Sequence, residues 1–185
     1  AEHFEEHIYP KITKVFGTEW IPGIDNNPRL NIINAQLTNV GGYFSSTDEY
    51  PIDVMLRSNE REIIYINAQD IPPGSANYNL ILGHELQHAI HWNADRSEDT
   101  WVNEGLSELA SSIALGSTFS IGKFLRGSPV SLVHWPLSSD NAISHYGAAS
   151  LFMHFLTEHY GARGNLRDLL AQQKDGIEGI NQYLE

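Results

Sequence analysis

Three histidines and one acid stand within the stretch GHELQHAIHW, as His84, Glu85, His88 and His91. The surrounding segment, about Asn77 to Asn93, carries Leu80, Leu86 and Ile90 at helical spacing and predicts a helix. On a helix, side chains four apart share a face, so His84 and His88 project toward one point. Glu85 is turned from that line by one residue, which sets its carboxylate beside the point and not on it. Two imidazoles and an adjacent carboxylate are what a hydrolytic zinc needs: ligands for the ion and a base for the attacking water. The competing reading is a histidine-rich helix surface. His91 lies about a turn beyond the point and is read as a packing or surface residue.

A catalytic zinc takes three protein ligands and keeps a fourth position open. Downstream, WVNEGLSELAS begins a second predicted helix, about Thr100 to Gly116. Glu104 lies 16 residues after His88, far enough for the chain to reverse and return its carboxylate to the metal. Glu108, four residues on along the same face, is placed to accept a hydrogen bond from a ligand imidazole and fix its tautomer. The alternative for both is the usual fate of glutamate, a solvated helix surface.

These residues need elements to hold them. Glu2 to Phe16 reads as a helical start, and PGIDNNP as a turn. RLNIINAQL and REIIYINAQ are Ile-rich and alternating, as strands are. Between them, Gly41 and Gly42 of GGYFSSTDEYP let the backbone bend or approach another group closely. PPGS punctuates the chain before the histidine helix, a third helix runs from about Ala142 to Tyr160, and the tail from Asn165 adds one or two short helices. Strands cluster early and helices late, so the expected fold is α+β.

Composition narrows the partners. A chain of 185 residues with 41% hydrophobic content supports one domain with a real core. A net charge of −12 argues against nucleic acid, and no long apolar span asks for membrane insertion. With no cysteine, any metal must be held by nitrogen and oxygen. Neither the compartment nor the oligomeric state follows from these numbers.

HELQH followed by NEGLSE resembles the gluzincin metallopeptidases, in which H-E-x-x-H is completed by a downstream Glu. NEGLSE is similar to the thermolysin pattern N-E-x-x-S-D, with Glu108 where that pattern carries Asp. WVNEGLSELAS, taken with GGYFSSTDEYP and SNEREIIYIN, looks closer to the hyicolysin-like bacterial secreted peptidases. The resemblance implies one zinc ion held by His84, His88 and Glu104, with Glu85 as general base and Glu108 as the partner of His84. It implies a zincin-like domain over 1–185. An N-terminal α/β lobe, about 1–95, would pack a mixed sheet with an exposed edge strand on the histidine helix. A mainly helical lobe, about 96–185, would follow.

Aminopeptidases among the gluzincins carry a transition-state Tyr at the start of a helix similar to SHYGAASLFMHFL, before a glycine and an LF pair. That resemblance selects Tyr146, with His145 as the alternative and a plain core role for Tyr146 as the competing reading. The gluzincin edge strand bordering the cleft corresponds to about Gly41 to Ser46. Gly42, Tyr43 and Phe44 would there hold a peptide substrate by strand addition; a plain hairpin with a bulge is the alternative. No G-x-M-E-N motif occurs, which favours an endopeptidase over an aminopeptidase. His134, in VHWPLSSD, is near enough in sequence to approach the cleft, and His3, His7, His154 and His159 receive no role. The family implies an extracellular or cell-envelope location in a bacterium. Two other functions stay open: a binding or adhesion module with a structural zinc, and a zinc hydrolase of a non-peptide amide or ester.

Overall fold

The two Ile-rich segments pair side by side, although 27 residues separate the end of one from the start of the other. In the computed structural model, which describes residues 2–116, 118, 120–127, 129–136, 142–160 and 165–185, Asn31–Ala35 forms β1 and Ile63–Asn67 forms β3. They run parallel, Ile33 opposite Tyr65, and the short strand β2, Gly42–Phe44, joins the other side of β3 antiparallel. The order β1-β3-β2 leaves β2 at an edge of this mixed sheet. Both strands and edge are shorter than the expected spans, because turns and a 3-10 turn, Ser46–Glu49, take up the flanks.

Among the described residues, seven α-helices make up most of the rest: α1 Tyr9–Phe16, α2 Ala76–Ala94, α3 Thr100–Leu115, α4 Ser120–Arg126, α5 Ala142–His159, α6 Arg167–Leu170 and α7 Gly176–Leu184. The result is an α+β fold with a small sheet and a mainly helical remainder. The expected N-terminal helix begins with a π-helical turn, Phe4–Ile8, that runs into α1. Helix α4 is an addition to the sequence expectation: its seven residues are too few to display a period.

Ser75 starts α2. Its hydroxyl accepts the Tyr78 amide at 3.2 Å, satisfying one of the unpaired donors of the first turn. Leu82, Leu86 and Ile90 recur along one side and are fully buried, against Ile8 and Ile12 of the N-terminal segment and Ile64 and Ile66 of β3. Each such side chain stabilises by roughly 1.5–3 kcal/mol, so this apolar stripe fixes the rotation of α2. It thereby turns His84 and His88 toward α3. Gly116, in the left-handed region at φ 86°, closes α3, and its amide donates to the Ser112 carbonyl at 2.7 Å.

Gly41 and Gly42 serve close approach. A Cβ on Gly42 would stand 2.6 Å from Ile81 Cγ2 and 2.8 Å from the Tyr65 carbonyl. Only glycine lets the edge strand lie this near α2, and so near Glu85. No described helix is long and apolar enough to cross a membrane.

Candidate metal centre

Helices α2 and α3 are joined by residues 95–99 and pack against each other, which returns Glu104 to the histidine face. His84 Nε2 lies 3.1 Å from Glu104 Oε2, and His88 Nε2 lies 3.4 Å from the same oxygen. One donor atom from each of the three residues falls within 4.8 Å of the others. The two rings stand 4.7 Å apart, tilted by 79°, so their edges converge while their faces do not stack.

The other ring nitrogens are also engaged. Glu108 Oε1 is 3.5 Å from His84 Nδ1, and Asn103 Oδ1 is 2.5 Å from His88 Nδ1. Ser107 donates its hydroxyl to Gln87 Oε1 at 2.5 Å, which leaves its oxygen free to accept from His88 Nδ1, 3.1 Å away. Acceptors at both Nδ1 positions select the tautomer with hydrogen on Nδ1 and a lone pair on Nε2. Glu108 is itself held by the Ser120 hydroxyl, which donates to its second carboxylate oxygen. The donor set therefore suits a nitrogen- and oxygen-liking divalent cation such as zinc.

Charge follows the same geometry. Burial alone would lower the His84 pKa, but the Glu104, Glu108 and Glu85 carboxylates outweigh it and raise it well above the ordinary imidazole value. Burial alone would raise Glu104, and the His88 and His84 imidazoles outweigh that, holding it far below the usual carboxylate range. The centre is thus electrostatically built for a cation.

Glu85 is buried beside these residues, and its Oε2 accepts the Phe44 amide at 3.0 Å. That hydrogen bond ties the edge strand to the carboxylate next to the centre. Tyr43 stacks on Tyr65 at 4.5 Å across the strands, and the Tyr65 hydroxyl donates to Asp48 at 2.7 Å. Tyr43 thus braces the sheet face and remains partly exposed.

Tyr146, in the first turns of α5, closes the other side. Its ring centroid is 6.1 Å from that of His84. Burial, then the charges of Glu104 and Glu85, push its hydroxyl pKa well above the usual tyrosine value. Trp135 packs edge-on against Tyr146 at 5.0 Å and against His145 at 5.9 Å. The His145 ring is buried with Nδ1 unpartnered and has no contact with the histidine–glutamate cluster among the described residues. His134 is exposed, with no such contact either; residues 137–141 of its loop lie outside the described residues. His91 is buried, and burial, then His88, lowers its pKa to about 4.

Asn103, Ser107, Ser120 and Trp135 are additions to the residues expected from the sequence. Asn103 and Ser107 stand in NEGLSE four residues apart, on the face of α3 that meets α2, and that spacing was the available signal. Ser120 and Trp135 arrive from distant segments with no comparable pattern.

A cleft of about 300 Å³ opens at the centre, with His88, Asn103, Glu104 and Phe44 in its wall. A larger hollow of about 490 Å³, lined by Ile71, Leu80, Ile81 and Ser111, shares only Glu108 with the centre. His88 and Glu104 of the cluster line the smaller space. Comparison with known protein families and with curated proteins finds no match to this chain.

Proposed function

We propose that the chain is a zinc metallopeptidase of the gluzincin type, acting on protein or peptide substrates as an endopeptidase. The observation that carries this reading is the convergence of His84 Nε2, His88 Nε2 and Glu104 Oε2, with Glu85 beside them and an edge strand adjoining. His84, His88 and Glu104 would hold one zinc ion, which when bound acidifies a water and polarises a carbonyl. Glu85 takes the proton of the attacking water and passes it to the leaving amine. Its buried position beside the ligands, anchored by the Phe44 amide, supports that role.

Tyr146 donates its hydroxyl to the oxyanion that develops on the scissile carbonyl; a high hydroxyl pKa keeps it protonated for this. The free edge of β2 receives the substrate backbone, with Gly42, Tyr43 and Phe44 as its contacts. We read the fold as zincin-like, with lobes of about 1–95 and 96–185 in one domain. The resemblance to secreted bacterial peptidases carries the location, extracellular or in the cell envelope.

The test is zinc content measured beside casein hydrolysis for wild type and Glu85→Gln. The expected variant keeps about one zinc at this centre and loses at least about 100-fold in turnover. Full activity in Glu85→Gln would remove the mechanism. A wild type that binds no zinc would remove the whole reading.

A further inference from the structure

One turn beyond His88, the same helix carries an imidazole that the peptidase reading leaves without work. His91 is 1% exposed, and its Nδ1 is buried with no hydrogen-bond partner. A ring nitrogen of His91, a carboxylate oxygen of Asp95 and one of Glu98 lie within 4.8 Å of one another. Asp95 Oδ1 accepts from the Ser97 amide and hydroxyl at 2.9 and 3.0 Å. Glu98 Oε1 accepts the Asp99 and Gly176 amides at 2.6 and 2.7 Å. Each carboxylate is thereby oriented through one oxygen, while the other has no hydrogen bond among the described residues.

Two carboxylates beside one imidazole disfavour each other's charge, and a cation among them removes that penalty. Neither Asp95 nor Glu98 forms an ion pair with Lys or Arg among the described residues. The guanidinium of neighbouring Arg96 is stacked over Trp92 at 5.1 Å. We propose that His91, Asp95 and Glu98 form a second metal site, distinct from the His84–His88–Glu104 centre, that takes a first-row divalent ion of the zinc class. One imidazole with two carboxylates is a nitrogen–oxygen set of the kind zinc accepts, whereas calcium prefers an all-oxygen shell.

The site's place in the chain gives it a task. Asp95 and Glu98 belong to the connector between α2 and α3, and Glu104 begins its return six residues after Glu98. An ion here staples the end of α2 to that connector, and through the Gly176 amide on Glu98 it adds the start of α7. Asp95 and Glu98 also line the cleft at the first centre, so the staple stiffens one wall of that cleft.

Stepwise zinc titration of the chelator-treated protein, followed by calorimetry and metal analysis, tests this. Wild type is expected to take up about two ions in two separable events, and Asp95→Asn/Glu98→Gln about one. His84→Ala/His88→Ala is expected to retain about one, because the second site does not depend on the first. Equal stoichiometry in wild type and Asp95→Asn/Glu98→Gln would overturn the proposal, as would a single wild-type event that His84→Ala/His88→Ala abolishes. Loss of uptake at the first centre alone would defeat the peptidase reading and leave this one standing. The wild-type titration needs no substitution, and the two neutral replacements fall on partly exposed residues and keep a carbonyl oxygen to accept the Ser97, Asp99 and Gly176 amides.

Discussion

Helix α2 presents two groupings of the same residue types about one turn apart, and they are built differently. At His84 and His88 every ring nitrogen has an assigned neighbour: Nε2 faces Glu104, and Nδ1 faces Glu108 or Asn103 and Ser107. At His91, Nδ1 has none. The first grouping faces a whole helix, α3, whose spacing of four delivers both ligand and support. The second faces a five-residue connector, which delivers carboxylates but nothing to hold the ring. The contrast teaches that histidine spacing alone does not orient a pair of imidazoles; the acceptors at Nδ1 do, by fixing which nitrogen carries the lone pair.

Removing a ligand from the supported grouping has the largest expected effect. Zinc affinity of Glu104→Ala, measured by chelator competition, is expected to fall by more than about 100-fold, beyond what loss of a supporting partner causes. Asn103→Ala sharpens the comparison, with an expected loss of about 10–100-fold while the ligands stay in place. If Asn103→Ala binds zinc as wild type does, support at Nδ1 is not what separates the two groupings. Tyr146→Phe is expected to leave zinc affinity unchanged and to lower casein turnover by about 10–100-fold. Unchanged turnover would return Tyr146 to a packing role.

A last effect, on stability alone, concerns a carboxylate that belongs to neither grouping. Glu49 is buried with both oxygens unpartnered, and burial, then the charges of Glu62, Glu19 and Asp48 against a partial offset from Arg96, raises its pKa to about 7. Because the folded value lies above the unfolded one, the native state holds an extra proton between about pH 4.5 and 7. Its stabilising contribution is full below that window and is lost as pH rises through 7. Denaturant unfolding across pH 4 to 8 should therefore show a downward stability slope in wild type that Glu49→Gln lacks, worth at most about 3 kcal/mol. Equal slopes in the two proteins would contradict this.

Much of the centre was legible in the sequence because it lies on two helices, where a spacing of four fixes direction. His84, His88, Glu104 and Glu108 meet for that reason, and Gly41 and Gly42 announced the close approach of the edge strand. What spacing does not encode is contact between distant segments. Ser120 reaches Glu108 from α4, a helix without a readable period, at a point where a Cβ on Gly147 would stand 2.2 Å from the Ser120 carbonyl. Trp135 reaches Tyr146 and His145 from an irregular segment. His91, expected as a packing or surface residue, is buried, and only the fold of the connector brings Asp95 and Glu98 beside it. The parallel pairing of β1 with β3 is likewise set by tertiary packing, since alternation gives no direction.

The ligand set is the central claim, and zinc-edge X-ray absorption reads it most directly. The sample is Asp95→Asn/Glu98→Gln loaded with one equivalent of zinc, so that only the first centre contributes. The expected spectrum has two imidazoles plus oxygen at about 2.0–2.2 Å. A spectrum without imidazole scattering, or one requiring three or more imidazoles, would contradict a centre of His84, His88 and Glu104.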